Sequence, residues 1–240
     1  MSESVALAHR ISAFIRRSYL LLGLAAVLLF ASNAHGQYGS SGGTQVNDSS
    51  ALHPPAGARV AMIEFADFEC PACARANPTV MAAAATYKIP WVRHDFLIPG
   101  HAWSAQAAVN ARWFDRNKSK AVGEEYRNQV FANQPSIYSL EALRQFTQKF
   151  AQSHGIQLPF ALDPQGKLLA EVKADSEMGV RTGVHQTPTI FIVIASGKGA
   201  PYREVRSVDT DLYLDIDQAL ADAAPAKPAV KSPAKKAANK

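Results

Sequence analysis

The chain has 240 residues, 48% of them hydrophobic, and a formal net charge of +5, which suits one domain with appendages and supplies a real core. The charge sits at the ends: residues 37–222 hold 17 basic against 19 acidic side chains, while the five lysines of residues 223–240 meet no acid. The body therefore offers no net cationic surface, which argues against a general nucleic-acid binder.

Residues 1–36 read as a secretory signal peptide. Arg10, Arg16 and Arg17 precede the apolar run YLLLGLAAVLLFA (19–31), and SNAHGQ supplies small residues for cleavage after Ala34 or Gly36. The run is short against the roughly 20 residues of a membrane span; an uncleaved anchor is the alternative. RRSYL leaves both general and twin-arginine export open, and no cysteine follows the run to carry a lipid. Export places the chain where disulfides persist.

Residues 37–57, QYGSSGGTQVNDSSALHPPAG, read as a flexible linker. RVAMIEFAD (59–67) reads as a buried strand, TVMAAAATYK as helix, and WVRHDFLI (91–98) as a second strand ended by PGH. From Ser104 to about Gln152 the pattern is helical, with a break at NQPSIYS. Leu140, Leu143, Phe146, Thr147 and Phe150 recur at helical spacing behind Ser139, a capping residue, and Glu141 sits where the helix dipole favours an acid. DPQGKLLAEVKADSEMGVRTGV reads as a turn and another helix. PTIFIVIA (188–195) is the strongest strand signal; SGKG turns it into a hairpin partner, APYREVRSV, and DTDLYLDIDQALADA closes as an amphipathic helix. Residues 224–240, rich in Pro, Ala and Lys, lack apolar periodicity and read as a disordered tail. The expected fold class is α/β, a sandwich over 58–223 with a helical insertion over about 104–180.

The only two cysteines, Cys70 and Cys73, lie in IEFADFECPACARANP (63–78). Such a pair can be half of a metal site, two inert thiols, or a redox couple. Structural zinc usually takes four ligands, and no further cysteine exists; His94 and His101 do not have zinc-ribbon spacing. Inert thiols suit an exported chain poorly. A CxxC at a strand-to-helix junction suits redox chemistry. Pro71 fits the first helical position, which makes Cys70 the N-cap. There its sulfur faces free N–H groups and the positive helix end, both of which stabilise a thiolate. Cys73, one turn on, should point inward and resolve what Cys70 forms.

EFADFECPAC followed by Pro78 resembles the active-site region of the DsbA-like thiol-disulfide oxidoreductases, a branch of the thioredoxin fold. GVHQTPTIFI resembles that family's cis-proline loop, which would bring Thr187 and Pro188 beside the cysteines and turn the Thr187 backbone toward an extended substrate. The helices between DFLIPGH and that loop resemble the family's helical insertion. The likeness spans roughly 58–223 and implies a thioredoxin-like fold and disulfide donation to cysteines of exported proteins, with no metal or organic cofactor. It further implies re-oxidation by a membrane quinone-linked partner. Residues 37–57 are too short and polar for a dimerisation domain, which favours a monomer. Pro71–Ala72 departs from the strongest oxidants, which carry histidine between the cysteines, and predicts a milder oxidant; a reductase or isomerase using the same pair, and a non-catalytic peptide-binding holdase of the same fold, are the alternatives.

Glu64 has two readings. It is either a charged residue at a sheet edge or, six residues before Cys70 where the family carries a buried acid, a proton relay for Cys73. Glu69 would oppose a thiolate on Cys70 if its carboxylate were close, with solvent screening it. His101 and Trp103 read as packing or loop-capping residues. His185, near Pro188, is a candidate for lining the substrate groove.

Overall fold

The structure is a computed structural model that describes residues 43–223. The expected signal peptide, the linker residues 37–42 and the expected tail lie outside the described residues. Among the described residues no helix is long and apolar enough to cross a membrane.

The elements run β1 (Val60–Ala66), α1 (Pro71–Tyr87), β2 (Trp91–Asp95), α2 (Ser104–Asn117), α3 (Lys120–Ala132), α4 (Leu140–Ser153), α5 (Lys167–Thr182), β3 (Thr189–Ile194), β4 (Tyr202–Glu204) and α6 (Leu212–Asp222). The four strands make one sheet in the order β2-β1-β3-β4. β1 is parallel to β2 and antiparallel to β3, and β4 is antiparallel to β3. The helical break at NQPSIYS is a short 3₁₀ turn, Gln134–Ser136, between α3 and α4. Ser139 caps α4, accepting the Ala142 amide.

Successive side chains of a strand face opposite sides of a sheet, and β1 uses both faces. Val60 and Met62, with Ile190, Ile192 and Ile194 of β3, pack against Val80 and Ala83 of α1 and Leu212 and Ile216 of α6. Ala61, Ile63 and Phe65, with Phe191 and Val193, form a second core with Phe96, Val184 and Leu52. By this alternation Glu64 shares the α1 face with Met62. α5 closes on the second core through Gly179, where a Cβ would lie 2.5 Å from a ring carbon of Phe96. A third core, around Phe114, Tyr126, Leu143 and Phe150 of the insertion, also takes in Phe68, Cys70 and Cys73. The cysteines therefore belong to the same core as the insertion helices.

A charged cluster joins the insertion to the end of β2. Asp95 Oδ2 accepts from Arg112 Nε (3.0 Å) and Nη2 (2.7 Å), and its Oδ1 accepts from Arg127 Nη1 (3.1 Å). The same Arg112 Nη2 reaches Asp175 on α5 at 2.6 Å. Asp95 is 5% exposed, so these bonds satisfy a carboxylate that could not be buried alone.

The flexible linker expected over 37–57 is corrected for residues 43–57. Leu52 is buried in the second core, with Val46 and Ala51 packed against it. The Asn47 amide donates to the Thr182 carbonyl (3.1 Å), and Thr44 Oγ1 donates to Glu204 Oε1 (3.0 Å). The backbone passes so near Gly183 that a Cβ there would lie 2.1 Å from the Gln45 carbonyl oxygen. Gly183 has φ 103°, in the left-handed region that glycine tolerates, so the site excludes a side chain twice over.

Candidate functional site

The turn between β1 and α1 builds the site. Pro71 occupies the first helical position and Cys70 is the N-cap, with φ −72° and ψ 116°. Pro78 lies inside α1, where it withholds one N–H from the helical ladder. Both cysteines carry free thiols. Cys70 keeps 9% of its surface open and Cys73 keeps none. The outer sulfur can meet a second molecule; the inner one can be reached only from within the protein.

The environment splits the two thiols. Cys70 is held down to about 5, chiefly by a hydrogen bond from the Cys73 thiol, with burial opposing. The Thr187 side chain and the Cys73 and Ala72 amides add to the lowering. The helix N–H groups expected to stabilise the thiolate thus contribute, but the neighbouring thiol contributes most. Cys73 is pushed far up by burial, by its bond to Cys70 and by the charge beside it, and Glu64 raises it further.

The cis-proline loop meets the cysteines at one point. The Thr187–Pro188 bond is cis, and the Thr187 carbonyl oxygen accepts from Cys70 Sγ at 3.3 Å. His185 is exposed, its Nδ1 3.2 Å from the Gly183 carbonyl on the stem of its own loop. Thr187→Val keeps the shape but loses the hydroxyl. It should raise the Cys70 pKa by roughly half to one unit, read from thiolate absorbance against pH. An unchanged titration would remove Thr187 from the site's electrostatics.

Glu64 is 2% exposed on the α1 side of the sheet. Its Oε2 accepts from Trp91 Nε1 at 2.8 Å, and it pairs across the ladder with Arg93. Arg93 stacks on the Trp91 ring, 3.5 Å from its centroid, and donates to Asn128 Oδ1 (2.8 Å). Burial raises the Glu64 pKa, and Arg93 and Trp91 only partly offset it. The carboxyl is therefore not a residue at a solvent-facing sheet edge.

Two acids before Cys70 have partners that adjacency in sequence does not reveal. Glu69 is tied to the insertion: its Oε2 accepts the amides of Trp103 and Ser104 (2.8 Å for Ser104) at the start of α2. The helix N-terminus, rather than solvent, compensates its charge. Asp67 is fully buried and accepts from the Glu69 amide (2.7 Å), the Ile98 amide (2.9 Å) and His101 Nδ1 (2.7 Å). His101 thus anchors the loop between β2 and α2. Asp67 was not singled out by sequence reasoning; a lone aspartate at a strand end carries no signal beyond turn preference.

The family model described as Thioredoxin matches residues 55–195. Solved structures with similar folds include BdbD from Bacillus subtilis, at a TM-score of 0.56 and 15% identity over 74% of this chain and 95% of that one. The thiol-disulfide exchange protein α-DsbA2 from Wolbachia pipientis gives 0.52 and 16%, over 70% and 85%. A periplasmic thioredoxin-like protein from Salmonella enterica serovar Typhimurium gives 0.54 and 18%, over 73% and 93%. At these identities the likeness is one of fold. No curated protein matches the chain.

Proposed function

The chain belongs to the thioredoxin family, and from that premise we propose that it is an exported thiol-disulfide oxidoreductase that donates disulfides to cysteines of secreted or envelope proteins. The observation that carries this reading is the split of the pair: an outer N-cap thiol held down to about 5 and a closed inner thiol pushed up. In the oxidised enzyme a substrate thiolate attacks Cys70 Sγ. The Cys70–Cys73 bond breaks, a mixed disulfide forms on Cys70, and Cys73 leaves with the electron pair. A second substrate thiolate then attacks the substrate sulfur of the mixed disulfide. Substrate leaves oxidised, and the enzyme keeps two electrons as the Cys70 thiolate and the Cys73 thiol.

Glu64 fits the leaving step. A buried thiolate with a raised pKa leaves poorly unless it gains a proton, and a carboxyl that burial keeps protonated above its ordinary range can give one. Glu64→Gln should slow that step by about tenfold or more and flatten its pH dependence, measured by rapid-quench trapping of the mixed disulfide. An unaltered pH–rate profile would return Glu64 to a structural role. Thr187, Pro188 and His185 are assigned to the substrate, which lies as an extended segment along their loop. Pro71 and Pro78 shape the helix that carries the cysteines.

The similar fold of a periplasmic protein and the apolar leader of the sequence support action outside the cytoplasm. Re-oxidation falls to a membrane quinone-linked partner, and the enzyme acts as a monomer without metal or organic cofactor. Ala72 between the cysteines supports a milder oxidant than the histidine-bearing members, so reductase or isomerase flow is the second reading. The test is transfer: the oxidised protein, mixed with a reduced unfolded protein, should leave disulfides in it at the expense of its own. A pair that stays oxidised in the mixture would overturn donation.

A further inference from the structure

The tripeptide Phe68–Glu69–Cys70 is held by residues far from it in sequence. The Phe68 amide donates to Ser104 Oγ (3.2 Å), and the Glu69 carboxylate accepts the Trp103 and Ser104 amides. Gln134 Nε2 donates to the Phe68 carbonyl (2.8 Å) and to the Cys70 carbonyl (3.1 Å). Ser104 opens α2, whereas Gln134 opens the 3₁₀ turn between α3 and α4. Two separate stretches of the insertion therefore grip the backbone just ahead of the active-site helix.

The two carbonyls that Gln134 meets lie within two residues of the Cys70 sulfur, in a site packed by Phe68, Phe131 and Ile137. A carbonyl oxygen carries partial negative charge and disfavours a nearby thiolate where water is excluded; an N–H donor aimed at it weakens that effect. The bond to the Cys70 carbonyl also bears directly on ψ of the N-cap, 116°, and so on how Cys70 stands against the first amides of α1, whose backbone lowers its pKa. The Cys70 carbonyl already accepts the Ala74 amide at 3.2 Å, so Gln134 fills its second lone pair.

We propose that Gln134 is a positioning residue through which the helical insertion holds the Phe68–Cys70 backbone in the geometry that Cys70 needs for disulfide exchange. The insertion is then part of the redox centre. Loosening the α3–α4 connection weakens Cys70 as the exchanging sulfur without touching either cysteine. This rests on the reading of Cys70 as that sulfur.

The test compares the whole exported chain with its Gln134→Met and Gln134→Ala variants. Methionine keeps the length of the side chain and removes the donor, so the comparison survives if alanine loosens the turn. Thiolate absorbance against pH reads the Cys70 titration, and equilibration with glutathione reads the exchange constant. Both variants should titrate about one unit higher and shift the equilibrium about tenfold toward the protein disulfide. Variants that titrate and equilibrate like the parent, with only the melting temperature lowered, would show the tie to be structural and overturn the proposal. A parent with neither a low-pH thiolate nor exchange with glutathione would instead overturn the reading of Cys70, and the proposal with it.

Discussion

Cys73→Ala should turn the protein into a trap, with substrates held covalently on Cys70, while Cys70→Ala should hold none. The Cys70 thiolate of the first variant can still attack a substrate disulfide, because the Thr187 side chain and the backbone amides of residues 72 and 73 still lower its pKa once the Cys73 thiol is gone. What is lost is the neighbouring thiol that would resolve the mixed disulfide. A well-placed intramolecular group can act at an effective concentration of about 10⁵ M or more, against millimolar external thiols, so the adduct should live at least about a thousandfold longer. The Cys70→Ala variant leaves only Cys73, which is closed to solvent and held protonated by burial. Non-reducing gels and mass mapping of the adduct read the outcome. Stable adducts on Cys73, or equal trapping by both variants, would reverse the assigned order of the two sulfurs.

Exchange of the reduced protein with a small disulfide should be half-maximal near pH 5, approach its plateau about one to two units higher, and stay flat to neutrality. With the Cys70 pKa at about 5 against an ordinary 9.0, roughly half of Cys70 is thiolate at pH 5, against about one part in ten thousand for an ordinary thiol. Nucleophilicity falls with pKa at a Brønsted slope of about 0.4–0.5, which takes back roughly 40- to 100-fold over four units. The remaining advantage at pH 5 is about a hundredfold. Because the folded pKa is depressed, the contribution of Cys70 to stability of the reduced protein is fully present above pH 9.0 and is lost as pH falls through about 5. The reduced form should therefore melt at rising temperature as pH rises across this window. A rate that climbs only above pH 8 would mean that the contacts around Cys70 do not stabilise its thiolate.

The parts of the site that follow from local rules were legible in the sequence. Pro71 fixes the start of α1, which makes Cys70 its N-cap and carries Cys73 inward one turn later. Strand alternation in VAMIEFA puts Glu64 on the same face as Met62, under that helix. Partners supplied by distant loops were not legible. The spacing of Glu69 and Asp67 from Cys70 is visible, but their bonds to residues 98–104 follow from how the insertion folds back. Gln134 lay in a stretch read only as a helical break. The Gly, Ser and Pro content of residues 43–57 describes a loose chain locally, whereas Leu52 and Val46 find apolar partners on a sheet face assembled from elsewhere. β2 is shorter than WVRHDFLI suggested, ending at Asp95, since beyond it the Ile98 amide is taken by the Asp67 carboxylate rather than by a neighbouring strand.

The most direct measurement is the equilibrium of the Cys70–Cys73 pair against a series of glutathione redox buffers, with the two states counted by thiol alkylation and mass. A reversible, single two-electron transition with both cysteines changing together is predicted, at a potential between about −270 mV and −120 mV and displaced from the strongest oxidants by the lack of a histidine at Ala72. A pair that stays as two thiols in the most oxidising buffer, or one that forms only mixed disulfides with glutathione, would contradict an exchange-active Cys70–Cys73 couple.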